Sequence, residues 1–191
     1  MTKKIYLFLK ILFISFFFTN HISAEISNKL IQKIINTNTL SFEFKQNISD
    51  KIETGKCIIK YSKLLRCDYD DTYKKRLISN GKTLVVIQRR YKKIFYYPLK
   101  TTPLNFLLDK KYLIEFIKKN KPNIVNDKIL KFEILEKNKK LIIFFDRKSL
   151  NFKGWQTEDI YKNKVDFKIS NLKTNIPVDK NLFKIPKEED L

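Results

Sequence analysis

From residue 39 onward, apolar and polar positions alternate in short runs. Leu40, Phe42, Phe44, Gln46 and Ile48 share one face of an extended segment, and polar residues mostly fill the other. That period of two marks a half-buried strand. Further strands are predicted at 54–61 and 64–69 around a turn at Ser62-Lys63, and at 76–79 and 82–88 around Asn80-Gly81. Asn-Gly between two apolar runs is a strong short-range hairpin signal. Another strand is predicted at 90–97, stopped by Pro98, and four more at 129–135, 141–146, 152–159 and 164–170. Asn138-Lys139 and Asn163 mark turns between them.

Two stretches break this rhythm. Residues 26–35 place Leu30, Ile31, Ile34 and Ile35 on one face at helical spacing, with Ser27 as a cap. Residues 103–108 and 111–119 also read as helical, until Asn120-Lys121-Pro122 ends them. The pattern predicts a mainly β (α+β) fold. About 10–11 short strands form one strongly curved antiparallel sheet, with an N-terminal helix and a helical insertion at one face or mouth. Such a sheet encloses space that can hold an apolar ligand.

The first 24 residues follow a different logic. Lys3, Lys4 and Lys10 precede or open an apolar run over 11–18, and Ile22-Ser23-Ala24 resembles a cleavage site. This is the pattern of an export signal, and the apolar run is too short to span a bilayer. Residues 1–24 are therefore expected to be removed, leaving 25–191 as one domain without a lipid anchor. Removal takes three lysines and no acids, so the formal net charge falls from +20 to +17. It also takes His21, the only histidine. Without histidine, Ser-His-Asp and Cys-His catalysis and the commonest metal ligand are lost. The basic excess favours acidic partners, but the lysines are scattered, and export argues against nucleic acid.

Motifs elsewhere carry little chemistry. Gly81-Lys82-Thr83 imitates a phosphate-binding loop but lies between strands, and Arg76 stands where the first glycine belongs. Asp68, Asp70 and Asp71 lack calcium-loop spacing. Arg89, Arg90, Lys92 and Lys93 interleave with Tyr91, Phe95, Tyr96 and Tyr97. An ordinary two-faced strand accounts for that cluster. If it binds anything, an anionic lipid surface suits an exported protein. Cys57 and Cys67 lie on the two arms of the hairpin turning near Ser62-Lys63; they are expected to be close and are a possible disulfide.

Several segments, in order, resemble the LolA family of periplasmic lipoprotein carriers. Leu40-Ser41-Phe42-Glu43-Phe44-Lys45-Gln46 resembles the family's opening strand. Gly55 to Lys60 and Leu65-Arg66-Cys67-Asp68-Tyr69 resemble its next hairpin. Ile78-Ser79-Asn80-Gly81-Lys82-Thr83-Leu84 resembles its "i-s-D-G-k-x-l" turn. Thr102-Pro103-Leu104 through Leu107-Leu108 resembles its "t-P-l-x-x-L-L" helix, and Leu182-Phe183-Lys184-Ile185-Pro186 its closing segment. The resemblance implies an unclosed β-barrel with a short helical lid over a hydrophobic cavity, acting in the periplasm as a monomer without cofactor. The implied partners are outer-membrane lipoproteins, the inner-membrane ABC transporter that releases them, and an outer-membrane receptor. The alternative cargo is another anionic amphiphile, a phospholipid or glycolipid. An enzyme, for instance a hydrolase with paired carboxylates, and a structural interaction module are the other classes considered.

Parity and resemblance nominate Phe42, Phe44, Ile58, Leu65, Leu84, Val86, Phe95, Leu104, Leu107 and Phe144 as cavity and lid residues. One position departs from the family. The arginine implicated in lid closure matches Tyr61 here, which becomes the gating position, and Lys60 and Arg66 are the candidates to substitute.

Overall fold

The computed structural model describes residues 25–49, 51–136, 139–159 and 162–191. The expected export signal at 1–24, with His21, lies outside the described residues, as does Asn138 of one expected turn. Helix α1 covers 25–35. Ser27 lies within it rather than capping it. Leu30, Ile31 and Ile34 are buried in the core, whereas Ile35 is exposed.

Eleven strands follow, in one antiparallel sheet. They are β1 (Thr39–Ile48), β2 (Lys51–Lys60), β3 (Leu64–Tyr69), β4 (Lys75–Asn80), β5 (Thr83–Gln88) and β6 (Lys93–Pro98), then β7 (Asn123–Val125), β8 (Ile129–Glu136), β9 (Lys139–Asp146), β10 (Phe152–Glu158) and β11 (Lys164–Thr174). The spatial order is β6-β5-β4-β3-β2-β1-β11-β10-β9-β8-β7. The sheet therefore curls from edge strand β6 to edge strand β7 without pairing them. The chain must bridge that gap, and it does so with helices α2 (Leu104–Leu108) and α3 (Lys110–Lys119). The lid position follows from this topology, because the helices sit in the one connection that joins the two open edges.

The Asn80-Gly81 hairpin forms where the sequence places it. Asn80 Oδ1 accepts the N–H groups of Lys82 and Thr83, and Gly81 takes φ 98°. Gly154 is needed for a close approach: a Cβ there would stand 2.0 Å from the Phe167 carbonyl oxygen, and its φ is 135°. The two glycines differ in kind, since Gly81 is required by the conformation of a turn and Gly154, inside β10, also by space.

One expected strand is shorter than its pattern. Residues 89–91 form a 3-10 turn and Lys92 is left-handed at φ 51°, so β6 begins only at Lys93. The sheet's inner face buries Phe42, Phe44, Cys57, Ile59, Leu65, Leu130, Phe132, Ile134, Leu141, Ile143, Trp155 and Phe167. A smaller apolar patch, Ile78, Val85, Ile87 and Ile94, lies on the outer face of β4–β6. The tail covers it with Ile185 and Leu191.

Candidate lipid-binding cavity and its lid

The interior is built by strand parity. Cross-strand registers place Phe42 opposite Cys57, Cys57 opposite Cys67, Cys67 opposite Leu77, Leu77 opposite Val86 and Val86 opposite Phe95. These six form a ladder on the inner face from the barrel centre to edge strand β6. Cys57 and Cys67 are joined by a disulfide with a Cα–Cα distance of 4.1 Å. Their side chains are fully buried, so the bond is part of the apolar wall.

Behind the lid lies a cavity of about 120 Å³, lined by Gln46, Leu65, Cys67, Leu104, Trp155 and Phe167 among others. It leads into a cleft of about 550 Å³ at the gap between the sheet's two arms. Leu77, Pro103, Leu104, Thr157 and Val165 line both. The cleft adds Leu84, Val86 and Tyr97 on one arm and Lys139, Lys140, Glu158, Asp159 and Lys162 on the other. An apolar wall with a polar rim of three lysines and two acids suits an amphiphile with its head outward.

Eight of the ten nominated residues stand on this inner side. Phe42, Phe44, Leu65 and Leu107 are buried in the core, Leu84 and Val86 line the cleft, and Leu104 lines cavity and cleft. Phe95 ends the ladder and is 43% exposed. Ile58 and Phe144 do not join them. Ile58 pairs with Ser41 and Arg66, and Phe144 with Lys131 and Gly154, on the outer face. Both lie in unbroken apolar runs, 57–59 and 141–145, where alternation is silent; the neighbours Ile59, Ile143 and Phe145 face inward. Sequence parity also missed Trp155 and Phe167, whose rings stack with centroids 3.7 Å apart.

The lid is closed, with Phe106, Leu107, Leu108, Leu113 and Ile117 buried against the interior. Polar contacts hold it at three points. Lys63 donates its backbone N–H to the Leu108 carbonyl at 3.0 Å, and its Nζ pairs with Asp109 Oδ2 at 3.0 Å. Asp109 also caps α3 by accepting the Tyr112 N–H at 3.1 Å. Burial alone would raise the Asp109 carboxyl, but Lys63 and the Tyr112 N–H outweigh it and hold it below the usual aspartate value. Lys110 Nζ reaches the carbonyls of Ile35, the last residue of α1, and of Thr37 just beyond it, at 2.6 and 2.8 Å. Tyr112 donates its hydroxyl to Glu136 at 2.6 Å.

Among the described residues, neither expected substitute for the family arginine makes a hydrogen bond or ion pair to the lid. Lys60 donates to the Val178 carbonyl, and Arg66 pairs with Asp68. Tyr61 is half-buried in a crevice with Leu107 and Leu113. Burial pushes its phenol pKa up, so it stays neutral. The residue that grips the lid is Lys63, two positions on. It is left-handed at φ 71°, and its carbonyl accepts the buried Ser79 hydroxyl at 2.7 Å.

Polar residues close the inner face beyond this cavity. Glu53 is buried and held by Lys75 at 2.6 Å, Lys51 at 2.9 Å and the Gln46 amide at 2.9 Å. Burial would raise its carboxyl, yet Lys75 and Lys51 win and keep it below the usual glutamate value. Asp68 is likewise taken, clamped between Arg66 and Arg76. No group of three or more metal-ligating side chains occurs among the described residues.

A family model described as "Outer membrane lipoprotein carrier protein LolA" matches residues 35–186. The chain belongs to the LolA family. No curated protein matches the sequence. Among solved structures, an uncharacterized conserved protein from Thermus thermophilus is similar, with TM-score 0.51 and 9% identity, over 86% of this chain and 95% of that one. A LolA superfamily protein from Nitrosomonas europaea is similar over 85% of this chain and 97% of its own, with TM-score 0.46 and 7% identity. At such identities the likeness is one of fold. The unclosed sheet and the lid between its edges are this chain's version of the LolA-family architecture.

Proposed function

We propose that this LolA-family protein is a non-enzymatic periplasmic carrier that shields lipoprotein acyl chains during transfer to the outer membrane. The observation that carries the reading is an apolar interior under a lid held by a few polar contacts. Acyl chains contribute about 0.8 kcal/mol per buried methylene, so full burial of several chains would make release very slow. A carrier needs a bound state that is only partly favourable. A lid that must leave its own packing to admit cargo supplies that opposing term. Phe42, Phe44, Leu65, Leu84, Val86, Phe95, Leu104 and Leu107 are the proposed cargo contacts, and Lys63 with Asp109 the gate.

In this reading residues 1–24 direct export and are removed, and the protein acts as a monomer. It would receive lipoproteins from an inner-membrane ABC transporter and pass them to an outer-membrane receptor. The test is retention of lipoprotein released from spheroplasts by the purified protein; failure to retain any removes the proposal. Lys139 and Lys162 at the cleft rim favour a second reading, a phospholipid or glycolipid cargo with its anionic head outside. Mass spectrometry of the co-purified lipid separates the two.

A further inference from the structure

Two turns far apart in sequence meet at one end of the sheet. Tyr91, in the turn between β5 and β6, stacks on Tyr73, in the turn between β3 and β4, with ring centroids 5.6 Å apart. The Arg90 N–H donates to the Tyr73 carbonyl at 3.2 Å and ties the turns together. The rings nevertheless stay open to solvent, 52% exposed for Tyr91 and 40% for Tyr73. Farther along β6, Tyr96 on the outer face and Phe95 on the inner face are also exposed.

Cations surround these rings. Lys74, Arg89, Arg90, Lys92 and Lys93 all belong to the two turns or the first residue of β6, and none makes an ion pair among the described residues. The nearby acids are Asp70 and Asp71. Asp70 accepts the Thr54 hydroxyl, and Asp71 accepts the Lys75 N–H. Excess positive charge around exposed tyrosines complements one kind of surface well. Tyrosine settles at headgroup depth in a bilayer, and lysine and arginine are drawn to anionic lipids.

The tip is also continuous with the cleft. Phe95, two residues from Lys93, pairs with Val86, and Val86 pairs with Leu77; the last two line the cleft wall. We propose that the Tyr73–Tyr91 tip docks the protein on an anionic bilayer surface, so that the Phe95–Val86–Leu77 ladder joins that surface to the cleft. The proposal stands on the tip alone and is tested without cargo, so its failure leaves the carrier reading untouched.

The test is flotation with vesicles of phosphatidylglycerol and phosphatidylethanolamine against vesicles of phosphatidylcholine. The protein is purified after expression of the full chain, with its N-terminus recorded by mass spectrometry. Each basic side chain near an anionic surface contributes roughly fivefold to partitioning. Arg89→Gln with Arg90→Gln and Lys92→Gln should therefore lower binding to the anionic vesicles roughly 100-fold. A control with the same charge change elsewhere, Lys119→Gln with Lys153→Gln and Lys173→Gln, should lower it less than about fivefold. Tyr73→Ser with Tyr91→Ser should weaken binding without any charge change. The emission of Tyr91→Trp should shift to the blue on anionic vesicles only. Equal losses in tip and control variants would reduce the effect to net charge and overturn the proposal. So would an absence of vesicle binding, including the case where the tip binds an acidic protein instead.

Discussion

Asp109→Ala tests the gate directly, because that side chain performs two tasks in one place. It caps α3 through the Tyr112 N–H, and loss of such a cap costs about 1 kcal/mol. It also pairs with Lys63, where the side chains are 33% and 25% exposed, a contact in the range of about 0.5–1 kcal/mol. Opening that exposes the amides of 104–119 unwinds α3 as well as breaking the Lys63 contact, so the change should favour the open lid by about 1.5–2 kcal/mol, roughly 10- to 30-fold in population. The lid should still be closed in most molecules. Leu107, Leu108, Leu113 and Ile117 are fully buried, and each contributes about 1.5–3 kcal/mol. Native-state hydrogen exchange should then speed up across 104–119 by that factor, with β1 and β2 unchanged. Asp109→Asn keeps a cap acceptor and should show only the ion-pair share, roughly 2- to 5-fold. A fluorescent fatty acid should bind the Ala variant more tightly by about the same factor as the lid opens, since the closed lid competes with it. Uniform acceleration over lid and sheet alike would refute the idea that the lid opens as a unit. Weaker fatty-acid binding would show that the lid contacts hold cargo in rather than keep it out.

Cys57→Ala with Cys67→Ala releases a cross-link between residues 10 apart, which should cost about 3 kcal/mol and lower the melting temperature by roughly 6–12 °C, read by thermal unfolding with and without reductant. Glu53 has a depressed pKa in the folded state, so its stabilising contribution is present above its unfolded value of about 4.3 and lost as pH falls through the folded value. Glu53→Gln should therefore flatten the acid limb of the stability profile, and at pH 7 cost ~2 kcal/mol by weakening charge-assisted contacts to Lys75 and Lys51. Gly154→Ala should destabilise by at least about 2 kcal/mol, because its Cβ would enter the space of the Phe167 carbonyl and its φ of 135° disfavours any L side chain. Denaturant titration measures it, and a neutral result would mean that β10 relaxes away from β11.

Local physics was written openly in the chain. Alternation over 40–48 fixed β1, Asn80-Gly81 fixed a hairpin, and helical spacing in 103–119 marked the lid helices. No histidine follows residue 21, so residues 25–191 hold no Ser-His-Asp or Cys-His set. Where a strand has one apolar face, the inward residues followed as well, as with Phe42 and Phe44. Where both faces are apolar, parity gives no answer. At 57–59 and 141–145 only the sheet decides, and it turned Ile58 and Phe144 outward. The run 84–87 is apolar throughout because the lid-side cleft needs Leu84 and Val86 while the tail covers Val85 and Ile87.

The gate and the tip needed tertiary structure for a different reason. Choosing Lys63 over Lys60 and Arg66 depends on where a left-handed turn residue points once Leu108 and Asp109 are brought beside it. Stacking Tyr73 on Tyr91 depends on two turns meeting. The sequence by itself marked out ten of the eleven strands, all but β7, together with the Asn80-Gly81 turn and the kind of interior they enclose, since those follow from local turn chemistry and from periods of two and 3.6 along the chain. The tertiary structure alone decided which lysine holds the lid and which aromatics face the solvent together, since those contacts join residues that no local period relates.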